Sequence, residues 1–317
     1  MRAPFCWLVS QRINLIIRTG MRNKNAFTMI ELVFVIVVMG IIGKFGTEFL
    51  AQAYRSFIST KIQNKYQNQS ATAIEFIAKR LQYRIKSSVV VRNVATFSDY
   101  ELLEGFTSSG YDVLEWIAYD AEGFRNGAWS GIYSKSASGA QLDSPESNKT
   151  QINELILFLS DTNASISDAA IFFIGSDSSK DSWGWDGVAF TDFSNSMKPI
   201  KAGTALTQFA SNVTGVDFLN IDVKNNIYNS YQLSWTANAI VFDNATQELW
   251  FYYDYQPWKG EKYTDATTKK FRIMEEVSDF KKKQRKGVMT IKVCSINTKL
   301  KDLPEQEFLT CKEKTIL

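Results

Sequence analysis

The run Phe27-Thr28-Met29-Ile30-Glu31-Leu32-Val33-Phe34-Val35-Ile36-Val37-Val38-Met39-Gly40-Ile41-Ile42-Gly43 constrains this chain more than any other stretch. At about seventeen residues it stands at the lower edge of the length with which a helix crosses a bilayer. It also carries a carboxylate, Glu31, near its start. An ionised acid inside a spanning helix costs on the order of 2.5–3.5 kcal/mol on insertion scales, so Glu31 needs a partner. A cut between Ala26 and Phe27 would supply one. The new α-amino group of Phe27 would lie one helical turn from the carboxylate, where free amide donors and the helix dipole already favour negative charge. Between chains, the amine of one subunit would pair with Glu31 of its neighbour. An ordinary signal anchor leaves Glu31 as a tolerated polar residue. A cleaved secretory signal fits worse, because its apolar core precedes the cleavage site, and here the core follows the candidate cut.

The basic leader, the small residue before Phe27, and Phe27-Thr28-Met29-Ile30-Glu31-Leu32 running into an apolar helix resemble the processing site of type IV pilins and type II secretion pseudopilins. Order, charge placement and hydrophobic context all have to agree for such a match, which makes the motif specific. About twenty residues match closely and the following helix loosely. The resemblance implies that a prepilin peptidase cuts between Ala26 and Phe27 and N-methylates Phe27, and that Glu31 sets subunit register in a helical filament. One departure is Ala26, where the family usually carries Gly.

Residues 1–26 contain Arg2, Arg12, Arg18, Arg22 and Lys24 and no acid. Removing these five from 36 basic residues leaves 31 against 33 acidic ones, so the formal charge falls from +3 to −2. The basicity belongs to the leader. Met21 offers a simpler start, giving a short leader Met21-Arg22-Asn23-Lys24-Asn25-Ala26. Arg22 and Lys24 ahead of the span predict a cytoplasmic N-terminus and an exported C-terminal body.

Neither Gly nor Pro occurs from Thr47 to Glu104, and Phe45, Phe49, Ala53, Phe57, Ile62, Tyr66, Ile74, Ile77, Leu81 and Ile85 recur at helical spacing. The pattern predicts one helix from Phe27 to about Ser87, roughly 90 Å long. From Val89 the texture changes to short strand-like runs separated by Gly, Ser, Asp and Asn. The expected strands are Val113–Tyr119, Leu155–Leu159, Ala170–Ile174, Gly215–Val223, Asn229–Trp235, Ala239–Phe242, Glu248–Tyr255, Phe271–Val277 and Val288–Ser295. Asp243-Asn244-Ala245-Thr246 reads as a hairpin turn. The fold class is therefore α+β: a long N-terminal helix packed on an antiparallel sheet, which is the pilin-like layout. The expected divisions are a leader at 1–26, a transmembrane half-helix at 27–43, an amphipathic half at 44–90, and a β-rich domain at 91–317 with an insertion at about 95–210.

The chain has no histidine, which removes Ser-His and Cys-His nucleophile pairs and His-ligated metals, and no spacing of carboxylates singles out a catalytic pair. The reading is a non-enzyme. Cys294 and Cys311 outlast the leader, and two cysteines in an exported domain point to a disulfide. Closing about seventeen residues would contribute roughly 3 kcal/mol in the chain-entropy model. Asp177, Asp181 and Asp186 sit in a Gly/Ser-rich stretch and bring calcium to mind, yet their spacing does not fit an EF-hand and a solvated loop reads better; no cofactor is expected. Trp250-Phe251-Tyr252-Tyr253-Asp254-Tyr255 is aromatic on both faces of a strand. Lys281-Lys282-Lys283-Gln284-Arg285-Lys286 reads as a solvated hairpin turn, with phosphate contact as the competing reading.

The resemblance implies a minor pseudopilin of a type II secretion-like system, in the inner membrane with its body in the periplasm. Its partners would be prepilin peptidase, other pilins or pseudopilins and the inner-membrane assembly platform. Two alternatives stay open: a minor pilin for DNA uptake or type IV pilus assembly, and an unprocessed membrane-anchored binding protein.

Overall fold

A computed structural model describes residues 28–134, 140–176, 179–218, 228–296 and 309–317. Its contacts divide the chain into two units, one up to Ser59 and one from Thr60. Helix α1 (Met29–Leu81) contributes to both. In the first unit it is long and apolar enough to cross a membrane, and Phe45, Phe49 and Phe57 are exposed. In the second, Tyr66, Ser70, Ala73, Ile74, Ile77, Ala78 and Leu81 are buried at spacings of three and four. The helix stops at Leu81, short of the expected Ser87, because the next backbone groups are taken by a strand: Tyr119 N–H donates to Tyr83 O (2.9 Å) and Ile85 N–H to Ile117 O (2.9 Å). The expected start at Phe27 lies outside the described residues.

Along the second unit come β1 (Val90–Arg92), β2 (Tyr100–Leu102), β3 (Val113–Ala118), α2 (Ala121–Arg125), β4 (Leu142–Asp143), α3 (Lys149–Leu159), β5 (Ala170–Phe173), β6 (Met197–Ala202), β7 (Gln208–Ser211), β8 (Tyr231–Ser234), β9 (Thr236–Asp243), β10 (Glu248–Tyr255), β11 (Lys269–Met274), β12 (Val277–Arg285), β13 (Val288–Ile296) and β14 (Leu309–Ile316). They form three sheets with antiparallel pairing throughout: β11-β10-β9-β3-β1-β2, β12-β13-β14, and β4-β7-β6-β5-β8. The architecture is α+β, as the sequence predicts.

Three apolar clusters give the layers. The C-terminal turns of α1 pack with Trp116, Ile240, Leu249 and Phe251 of the six-stranded sheet and with Val277, Phe280, Met289, Ile291, Val293 and Ile316 of the three-stranded one. The opposite face of the six-stranded sheet, through Val90, Val113, Ala237, Ala239 and Val241, meets Ala170, Phe172 and Met197 together with Trp183, Trp185 and Trp258. Ile171 and Phe173 point the other way, toward Ile152 and Ile156 of α3. Strand β5 therefore buries both faces, which is why it reads as an unbroken apolar run. Close packing of the tryptophans needs Gly184: a Cβ there would come 2.4 Å from Pro257 O, and its φ of 82° disfavours any L side chain. Arg92 and Glu115 form a buried ion pair (2.5 Å), and Arg92 also donates to Trp185 O (2.7 Å) while Tyr255 donates to Glu115 (3.0 Å).

Residues 119–235, between β3 and β9, build the five-stranded sheet with α2 and α3. Strand β3 falls inside the stretch read as an insertion, yet it is a central strand of the first sheet. Six expected strands coincide with β3, β5, β8, β9, β10 and β13. The hairpin at Asp243 forms, its carboxylate accepting from Ala245 N–H (2.9 Å) and Thr246 N–H (3.3 Å).

Other expectations are corrected. Leu155–Leu159 is helical, the end of α3, started by the Asn148 cap on the N–H groups of Thr150 and Gln151. Phe271–Val277 is two strands, parted where Glu276 takes φ 57°. Gly215–Phe218 is not strand, and residues 219–223 lie outside the described residues. Lys281–Arg285 belongs to β12, so the turn is confined to Lys286-Gly287, both at positive φ.

Candidate functional site

The residues singled out by sequence fall in separate places. Ala26 and Phe27 lie outside the described residues. Glu31 is exposed in the first turn of α1, where its N–H donates to Thr28 O (3.0 Å). Cys294 and Cys311 sit directly opposite each other on β13 and β14 and form a disulfide. Asp177 is outside the described residues, Asp181 accepts from the Tyr100 hydroxyl (2.8 Å), and Asp186 accepts from Val188 N–H (3.1 Å). Among the described residues no group of three His, Cys, Asp or Glu is placed to hold a metal ion.

The aromatic run on β10 divides by the strand's period. Phe251 and Tyr253 face α1, with the Phe251 and Phe76 rings 5.2 Å apart. Trp250 and Tyr252 face the other way, with the Lys270 ammonium about 5.5 Å from each ring and Tyr263 beside Tyr252. Both faces are covered, so little ring surface is left for a ligand.

The lysine run, by contrast, lines a cleft. A space of about 620 Å³ opens between residues 106–112 and β12, with Thr290, Lys292 and Glu313 along its rim. That volume lies in the range of ligand clefts, about 300–1,000 Å³. The wall is fastened at both ends: Gly105 N–H donates to Gln284 O (3.1 Å), and Asp112 O accepts from Phe242 N–H (3.0 Å). Glu104 caps the adjacent hairpin turn, accepting from Lys286 N–H (2.5 Å) and Gly287 N–H (3.2 Å). Phe106 and Tyr111 stack edge to face at 4.8 Å, and the Tyr111 hydroxyl donates to Asp99 (2.7 Å).

Strand alternation sorts the basic residues. Phe280, Lys282 and Gln284 point inward. Lys282 donates to Tyr111 O across the floor of the cleft. Burial pushes the Lys282 pKa down to about 8, against the pull of Asp112 and Asp279. Lys281, Lys283 and Arg285 point outward beside Lys292, which stands directly opposite Lys281. Like charges in that position destabilise a sheet, and Asp279 relieves part of this through its ion pair with Lys281 (3.1 Å). The outer face keeps four cations against Asp279 and Glu313. A turn across the whole run hides this cleft, and because every position after Phe280 is polar, no apolar alternation in the sequence marks the run as strand.

No protein-family model, no curated protein and no solved structure matches the chain.

Proposed function

We propose that the chain is a minor filament subunit of the type IV pilin and pseudopilin kind, working in a type II secretion-like machine. The observation that carries the reading is the processing-site sequence Ala26-Phe27-Thr28-Met29-Ile30-Glu31-Leu32 set directly on an apolar helix. Its support is the continuation of that helix as α1, whose later turns are buried under antiparallel sheets. On this reading the apolar half of α1 holds the subunit in the inner membrane until assembly, and prepilin peptidase exposes the Phe27 amine. That amine then meets Glu31 of a neighbouring subunit, and the β-rich body faces the periplasm as a non-catalytic contact surface.

Glu31→Ala tests the reading in cells that carry the assembly machinery. The substitution is expected to leave the chain in the membrane fraction and to remove it from sheared filaments. Equal incorporation of the variant and the parent chain would contradict the role given to Glu31.

A further inference from the structure

β12 is one of the two edges of its sheet, β14 being the other. The register of β12 fixes which backbone groups face outward. Arg285 and Val288 flank the two-residue turn and form a hydrogen-bonded pair, so Gln284, Lys282 and Phe280 turn their N–H and C=O groups away from β13. Gln284 O is taken by Gly105. Among the described residues no backbone group bonds the outward N–H or C=O of Phe280 or Lys282. These two residues lie along the cleft, and an open strand edge is a template for another chain.

We propose that this cleft receives an extended acidic segment of a partner protein as an added strand. The main-chain ladder would form on Phe280 and Lys282, the mode in which backbone bonds give affinity and alternate side chains give specificity. Residues of the added strand opposite Phe280 and Lys282 send their side chains inward, toward Phe106, Phe280 and Tyr111 and beside the Lys282 ammonium, which Tyr111 O already holds, and there apolar groups fit. The residues between them point outward beside Lys281, Lys283 and Lys292, and there carboxylates fit. The partner segment thus alternates acidic and apolar residues. A nucleic acid would use the cations and leave the open edge unpaired, so the edge favours peptide. The site uses neither Ala26 nor Phe27, and the test below gives the same answer whether or not the chain is processed.

The probe is a short fluorescein-labelled peptide of alternating glutamate and valine, titrated into the detergent-solubilised full chain. Saturable binding is expected. It should weaken by about tenfold in Lys283→Glu/Lys292→Glu, the size expected for losing close charge partners. The charge-swapped variant should instead prefer a lysine–valine peptide. N-methylation of alternate peptide nitrogens, which removes the ladder donors, should abolish binding. Both replaced lysines lie on the outer face, and unchanged tryptophan fluorescence would verify that the fold survives. Absence of saturable binding overturns the proposal, as does equal binding of the N-methylated peptide. Displacement of the peptide by a short oligothymidylate, with a steep salt dependence, would also overturn it and assign the cleft to a phosphate backbone.

Discussion

The two halves of α1 are one uninterrupted helix with opposite side-chain environments. Phe49 is 70% exposed and lies just beyond the run to Gly43, which is apolar on every side but for Glu31; Leu81 is fully buried and belongs to a stripe with Lys79 and Arg80 beside it. A helix that is apolar all round needs an apolar surrounding, whereas a striped helix needs only one apolar neighbour. The antiparallel sheets supply that neighbour to the second half. The first half carries the length and composition to cross a membrane.

Leu81→Ala is expected to destabilise the β-rich unit by about 2–5 kcal/mol, the usual range for a buried leucine. Phe49→Ala should change it by less than about 0.5 kcal/mol, as for surface positions. Denaturant unfolding of the solubilised chain, followed by tryptophan fluorescence, measures both, because every tryptophan except Trp7 lies beyond Thr60. Equal losses would contradict the division of the helix.

A second effect sharpens the buried half. The three-stranded sheet that covers it is fastened to α1 by Ser295 with Ser70 (3.2 Å) and Lys314 with Glu75 (2.6 Å), and is stapled by Cys294–Cys311. Replacing both cysteines by serine should cost roughly 3 kcal/mol in the chain-entropy model. A reductant should then produce the same loss in the parent chain and none in the variant.

The smallest effect concerns Lys282, whose side chain lies on the inward face of the edge strand. Its pKa is about 8 in the folded chain, against 10.5 ordinarily. Below pH 8 the lysine is protonated both folded and unfolded, and the cost of burying its charge is present in full. Between pH 8 and 10.5 the unfolded chain holds a proton that the folded chain has released, so stability rises with pH. The unfolding free energy of the parent chain minus that of Lys282→Met should therefore grow between pH 7 and pH 10. A constant difference would contradict the burial of Lys282.

How much of this was legible in the sequence follows from where local pattern dominates. The change from all-round apolar to striped helix was readable, because helical period and the absence of Gly and Pro are local facts. Strands β9 and β10 were readable from β-branched and aromatic runs closed by an Asp243 turn. β6 and β7 were missed, since Met197–Ala202 buries four consecutive residues without alternating and the four-residue Gln208–Ser211 is too short to stand out, and their outer partners, β5 and β4, lie far back in the chain. α3 was misread at Leu155–Leu159 because exposed Phe158 and Leu159 fill in the apolar run beyond its buried face. For the cleft, the sequence displayed the charges; the open edge and the Phe106–Asp112 wall depend on tertiary contacts.

Intact mass and N-terminal peptide mapping of the membrane-extracted chain, with and without an active prepilin peptidase, show directly whether the chain is cut before Phe27. A mature chain that begins at an N-methylated Phe27 is expected only when the peptidase is present. A chain that still carries Met21–Ala26 in the presence of the active enzyme would contradict that cut and leave a membrane-anchored β-rich protein outside the filament pathway.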